Sequence, residues 1–565
     1  MSTQKPHVLI AGHDDCEMID ASPVTQVLDT FARPENMVKL LLTTQPYYSE
    51  YEIRLSESGI AEEMSWMFSL MNEAQLGSDD VRRVLRLAYH AGYLLEKREG
   101  LSNQQYERLL DALLGTCNAV TPTTTLQRLQ ISCEIPLLVF VSVVGDSRRL
   151  CDLQIIVDSF ASICRDDFDG EGMLASPDLG DFAEVLGTMA RIIRLASTVL
   201  VDMPLPECIL NQFQWAVRQL LVICMGDRQH FGGKCQQLNE EFVASLLKLG
   251  GDSSDVRLAR HLGLLSDPAA GFGASTSAET KRPRSSFHSE WSQIAIVRSG
   301  WGRKRRELAV STHGTEVVVA LKSCGDTVLR GAVEFTLEID DKRFEPAGTW
   351  IETCWQSDDD ADYLEMELEM EQGWRIQRQF CVSRRSGAVL IADVVLGTAG
   401  SNIRHVLNIE AATPDARFSI AGEGRELFVD TDKIRGLILP VGLSEWRSDP
   451  DASIQSELTA TNGLELVSSG EGVVALYCPL FFALTPRAAD KQFTWRRLVV
   501  VKKMIHEAAD QATAVRIQVG GRQWLLYRSL AEQANRTFMG QNTTAEFLFG
   551  EFLLDGKLKA YVEIS

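Results

Sequence analysis

The sequence predicts an α+β protein of two unlike parts, a helical N-terminal domain followed by an antiparallel β-sandwich. Three observations carry that prediction. Apolar residues recur at three- and four-residue steps through the first half, and they alternate with polar ones through the second. Between the halves lies a stretch rich in small residues, glycine and proline.

Taken in order, residues 1–33 read as an N-terminal extension and 34–265 as the helical domain. The clearest helix spans Phe182 to Val201, where Phe182, Val185, Leu186, Met189, Ile193, Ala196 and Leu200 form one broad apolar stripe. Similar stripes run through Val81 to Leu95, Tyr106 to Leu114, Cys151 to Cys164, Leu210 to Cys224 and Glu240 to Leu249. Turn signals divide them at Thr121-Pro122, Asp167 to Gly172, Pro204 to Pro206 and Gly232-Gly233. No sharp repeat of roughly 34 or 40 residues marks a regular solenoid, and successive helix hairpins, as in an incomplete α/α toroid, fit better.

Residues 266–289 read as a linker, and 290–565 as the strand domain. Val333, Phe335, Leu337 and Ile339 alternate with polar or charged neighbours, and so do Leu364, Met366, Leu368 and Met370. Each predicts a half-buried strand with an acidic outer face. Gly520-Gly521 between two short alternating runs predicts a two-residue hairpin.

Composition narrows the function. The chain carries 56 Lys and Arg against 77 Asp and Glu, a formal net charge of -21 over 565 residues. A field of that sign argues against polyanionic partners, so neither nucleic acid nor a membrane surface is expected. No apolar run approaches the roughly 18 residues of a membrane span. The N-terminal run Val8 to Ala11 falls short of the core of a signal peptide, about 7–15 residues, and a cytoplasmic location is expected. The 12 cysteines include no Cys-x-x-Cys pair, and several, such as Cys224 and Cys381, sit among apolar neighbours. Reduced core thiols are the expectation, with no metal site and no cofactor. Phosphate-binding, dinucleotide-binding, zinc-protease and serine-hydrolase motifs are absent from the sequence. Asn535-Arg536-Thr537 and Asn542-Thr543-Thr544 match the glycosylation pattern and read as chance matches.

Several residues nevertheless have the chemistry of a site. Tyr89 and Tyr93 share one helix face with His90 beside it, a source of base and acid, although packing of Tyr93 with Leu85 and Leu94 and solvation of His90 explain them more simply. Glu134 lies in an apolar stretch, where burial would make it a general acid; the plainer alternative is a helix first-turn carboxylate beside Pro136. His313 and His405 are histidines of the strand region. Alternation puts Arg404 and Asn408 on one face and His405 on the other. Trp350 and Trp355 precede the acidic run Asp358 to Asp362, a pairing of flat aromatic faces and carboxylates suited to sugars, to Ca²⁺ or simply to a solvated edge. Arg298, Arg303, Arg305 and their neighbours Lys304 and Arg306 make a local basic cluster, which reads as a contact for an anion or, more simply, as a solvated turn between strands.

Four segments occur in a telling order. Asp166-Asp167-Phe168-Asp169-Gly170-Glu171-Gly172-Met173-Leu174-Ala175-Ser176-Pro177 precedes the helix from Phe182, and Ala295-Ile296-Val297-Arg298-Ser299-Gly300-Trp301-Gly302 opens the strand region. Arg378-Gln379-Phe380-Cys381-Val382 then leads to Val389-Leu390-Ile391-Ala392-Asp393-Val394-Val395-Leu396-Gly397. In this order the set resembles heparinase II/III-like polysaccharide lyases. The resemblance implies an α/α toroid, a β-sandwich and β-elimination of uronic-acid-containing glycans at a cleft between the two. That chemistry needs a group that neutralises the uronate carboxylate, a base for the C5 proton and an acid for the leaving oxygen. The chain departs from the family pattern at two points. His313 stands alone where the family keeps a His-x-His-x-Asp cluster, and Asp178 to Asp181 replace the tyrosine expected after Ser176-Pro177. Two functions therefore remain, a lyase acting on an acidic polysaccharide, or a non-catalytic carbohydrate-binding or scaffold protein on the same fold.

Overall fold

The computed structural model describes residues 121–142, 151–199, 205–225, 229–231, 237–266, 283–411, 416–447, 454–459 and 463–565. The chain divides into two compact units, Met1–Arg282 and Pro283–Ser565.

The described part of the first unit is helical. Helix α1 (Thr125–Leu129) starts where the Thr124 side chain accepts the Gln127 amide, satisfying one of the free donors of the first turn. A π-turn (Gln130–Glu134) follows, then α2 (Ile135–Ser142). Pro136 lacks the amide that would continue the helical ladder, which accounts for the widened turn just before it. Helices α3 (Cys151–Asp166), α4 (Phe182–Val199) and α5 (Glu207–Ile223) come next. The unit's described part closes with α6 (Glu240–Gly250) and α7 (Ser253–His261). The expected stripe of α4 is the buried one: Phe182, Val185, Leu186 and Met189 are fully covered. Asp252 and Asp255 form a capping box at the start of α7, and Arg218 of α5 holds both carboxylates at 2.8 and 2.9 Å. Gly172 has a φ of +96°, and a Cβ there would stand 2.5 Å from backbone atoms of Trp215 and Ala216, so only glycine lets this turn sit against α5. No helix among the described residues is long and apolar enough to cross a membrane.

The second unit consists of antiparallel strands. The principal ones are β1 (Phe287–Ser289), β2 (Ile294–Arg298), β3 (Arg306–His313), β4 (Glu316–Ser323) and β5 (Asp326–Ile339). Next come β6 (Ile351–Ser357), β7 (Ala361–Glu369), β8 (Arg375–Ser383), β9 (Ala388–Glu410) and β10 (Gly463–Ala483). All ten belong to one large curled sheet. A second sheet holds β11 (Phe493–Leu498), β12 (Ala512–Val519), β13 (Arg522–Ser529), β14 (Phe547–Phe552) and β15 (Leu558–Ile564). One apolar cluster lines the large sheet, including Leu308, Val319, Leu337, Leu364 and Leu466. Another joins the two sheets, bringing Tyr363, Leu390 and Phe481 against Trp495, Ile517, Leu526 and Phe549.

Two expectations change. The end of the expected linker, Phe287–Ser289, is already a strand paired with β2, because its alternating side chains can join the sheet edge. The acidic outer face of β7 is only partly outer. Glu369 is exposed, whereas Glu365 on the same face is buried, since a second apolar layer covers that end of it. The Gly520-Gly521 turn is as expected: Val519 pairs with Arg522, and Gly520 takes a φ of +61°.

The described cysteines are free, and Cys133, Cys381 and Cys478 are buried. Burial raises all three thiols, that of Cys478 to about 12. Iodoacetamide at about pH 8 should therefore label exposed Cys208 in the native protein while leaving these three intact until denaturant is added. Peptide mass mapping reads the pattern, and equal labelling of Cys208 and Cys478 in the native state would contradict the burial.

Candidate functional site

The strand-rich unit carries a cavity of about 410 Å³, assembled from parts far apart in sequence. The β1–β2 turn brings Glu290 and Gln293, β3 brings Val310 and Thr312, and Thr349, Trp350, Ile351 and Glu352 come from the start of β6. Ile294, Ala295, Leu364 and Met366 make an apolar floor. Its volume lies within the range of small-molecule pockets, roughly 300–1,000 Å³.

Trp350 organises this region. Its backbone amide donates to the Gly314 carbonyl at 3.1 Å and its indole N–H to the Thr315 carbonyl at 3.1 Å. The β3–β4 hairpin is thereby fixed, and Gly314 permits its tight turn with a φ of +62°. His313 and Glu316, paired across that hairpin, are left exposed at its open end. Behind the ring, the Arg378 guanidinium lies 4.8 Å from the Trp350 centroid. At the rim, His288 Nε2 lies 2.6 Å from a Glu352 carboxylate oxygen, and the imidazole stacks on Trp355 at 4.5 Å and 13°. The carboxylate and the indole together fix the orientation of His288, the geometry in which a histidine can hold or pass a proton.

Arg378 belongs to a fully buried cluster. Its Nε and Nη2 each donate to Asp393 at 2.8 Å, Nη1 donates to the Val333 carbonyl, and His405 Nε2 lies 3.2 Å from Asp393. Burial alone would push the Asp393 carboxyl up. The Arg378 charge and hydrogen bonds, with His405 beside them, outweigh that and hold it well below the usual carboxylate range.

The remaining sequence candidates fall into three groups. Tyr89 and His90 lie outside the described residues. Glu134 and Arg298, expected to meet a substrate, are instead enclosed: Glu134 accepts from Arg191 at 2.5 Å, and Arg298 donates to Glu307 at 2.8 Å with its guanidinium 4.9 Å from the Trp301 ring. Both are 0 % exposed. Their apolar sequence contexts are core contexts, and a charge is tolerated there because it is paired. His405 is likewise enclosed, 0 % exposed beside Asp393. The third group stays at the surface. Arg303 is exposed, Arg305 is half-buried and turned onto Glu307 at 2.7 Å, and Arg404 is exposed and donates to Glu338 at 3.2 Å. Asn408, four residues further along the same strand, is half-buried. Trp350 lines the cavity as an edge of the core rather than as an open stacking platform, and the Trp355 ring is already stacked against His288.

Sequence reasoning missed Glu290, Gln293, Thr312, Thr349, Glu352 and His288. The only sequence signal near them was the unusual Trp350–Trp355 segment, and nothing local couples it to the turn after β1.

No protein-family model matches the sequence, and no curated protein matches it. Solved structures do match, and the class they define is the polysaccharide-lyase fold. A mutant of the heparan sulfate lyase HepC from Pedobacter heparinus aligns over 94% of this chain and 93% of its own, with a TM-score of 0.56 and 12% identity. Heparinase III aligns over 88% and 83%, with a TM-score of 0.59 and 9% identity. At these identities the likeness is one of fold.

Proposed function

We propose that the protein acts on a uronic-acid-containing polysaccharide as a lyase of the β-elimination type. The observation that carries this reading is the likeness of fold to heparinase III over 88% of the chain. In this reading the first unit is an incomplete α/α toroid and the second a β-sandwich. His313, exposed on a hairpin anchored to Trp350, offers an imidazole for proton transfer. The exposed Arg303 and Arg404 supply positive charge for an acidic chain.

The test is turnover of a panel of uronic-acid polymers, followed by the ultraviolet absorbance of the unsaturated uronate that elimination creates. If His313 takes or gives the proton, His313→Ala lowers kcat on the responsive polymer by about a hundredfold with unchanged thermal unfolding. Absence of absorbance with every polymer, or full activity in the variant, counts against these assignments respectively.

A second reading is a non-catalytic glycan-binding protein on the same fold. It is favoured by the enclosure of Glu134 and His405, whose polar groups are engaged by Arg191 and Asp393. Binding of an acidic polymer without turnover distinguishes it.

A further inference from the structure

We propose that the cavity of the strand-rich unit is a subsite for an uncharged sugar ring and excludes uronate and sulfated residues. The proposal rests on the glycan reading above and adds the chemistry of one subsite. Glu290 and Glu352 stand in its wall, and no Lys or Arg is among the residues that line it. A carboxylate or sulfate entering there would meet like charge with no Lys or Arg in the wall to offset it.

The same wall suits hydroxyl groups. Ionised carboxylates only accept hydrogen bonds, and sugar hydroxyls donate them. Gln293, Thr312 and Thr349 add donors and acceptors around the mouth. Ile294, Ala295, Leu364 and Met366 offer an apolar floor for the C–H face of a pyranose. Trp291, 48% exposed, and Ile351, 63% exposed, extend that apolar surface beside Glu290 and Glu352. His288 keeps Glu352 oriented through its 2.6 Å contact and is itself held by Trp355, so the acceptor is fixed before any ligand arrives. Glycans that alternate acidic and uncharged units would then be read at this position by their uncharged unit.

The experiment uses the full chain and a neutral probe, a tetramer of N-acetylglucosamine, with saturation-transfer NMR and calorimetric titration. The probe has no uronate and cannot undergo elimination, so its failure to bind would overturn the subsite while leaving the lyase reading to its own turnover assay. The expected result is binding of the tetramer that weakens about tenfold in Glu352→Ala and in Glu290→Ala, both exposed positions that the fold tolerates. Thr312→Trp, which fills the cavity from β3, should abolish it. Unchanged affinity in all three variants would overturn the assignment. So would loss, in the same variants, of binding to fully sulfated heparin, because an acidic ring would then be the occupant. Preferential binding of a lysine-rich peptide over the tetramer would overturn it as well.

Discussion

Asp393→Ala should destabilise the strand-rich unit by about 3–5 kcal/mol, because it strands a buried guanidinium and a buried imidazole without their shared anion. Arg378, Asp393 and His405 are all 0 % exposed, and Arg378 spends two donors on Asp393 at 2.8 Å. Water cannot replace that carboxylate, so the full desolvation of two groups is left uncompensated. Chemical denaturation followed by near-ultraviolet circular dichroism measures the change, and Trp350 beside Arg378 makes that signal sensitive to this cluster. A double variant, Arg378→Met with Asp393→Leu, removes the main opposite charges together and should recover much of the loss. A cost below about 1 kcal/mol for Asp393→Ala would show that the cluster is not enclosed as described.

The pH dependence follows from the sign of the Asp393 shift. Its folded carboxyl is held well below the usual range by Arg378 and His405 despite burial. The unfolded carboxyl binds its proton near pH 3.9. The stability that the pairing contributes is therefore complete above about pH 5 and is lost progressively as pH falls below about pH 4, toward the folded value. The wild-type advantage over Asp393→Ala should shrink across that acid range and stay flat above it.

The second large effect is expected at Arg528, whose side chain is 1% exposed between the two sheets. Its Nη1 lies 3.3 Å from Glu365, its Nη2 donates to Glu546 at 3.1 Å, and Nη2 also reaches Gln377. Around Glu365, Gln379 donates at 2.7 Å and the Tyr363 hydroxyl donates too. Burial raises the Tyr363 phenol well above its ordinary value, and the neighbouring Glu365 charge raises it further, so Tyr363 remains a donor. Arg528→Met keeps the volume and deletes the charge, leaving the Glu365 carboxylate with neutral donors only. The expected cost is about 3 kcal/mol, at the lower end for a broken buried pair because those donors remain. Arg528→Lys should recover part of it, since an ammonium cannot span Glu365, Gln377 and Glu546 as the guanidinium fork does. Equal stability of wild type and Arg528→Met would refute an enclosed network here.

The order of helices and strands was legible in the sequence because it depends on local periodicity. The stripe from Phe182 to Ala196 and the alternation from Val333 to Ile339 each name their element and its buried face without any partner being known. Gly520-Gly521 specifies its hairpin for the same reason, since the turn conformation is a property of those two residues. The Arg378–Asp393 pairing was visible only as a resemblance. Its meaning as a buried cross-strand ion pair came from the register of β8 on β9.

Burial of charge was decided by tertiary structure alone. Alternation divides a strand into two faces but cannot say whether the polar face meets water or a second sheet, and Glu365 and Glu369 on one strand had opposite fates. Arg298, Glu134 and His405 read as available side chains because their partners lie 9, 57 and 12 positions away and are recognised only once the backbone has brought them together. The cavity is the extreme case. Glu290, Thr312 and Glu352 come from a turn and two strands that pair through intermediates, and their convergence is a property of the curled sheet rather than of any segment. Local forces act over a few residues and leave a periodic trace in the sequence, whereas a site built across strands depends on register and curvature, which no single segment records.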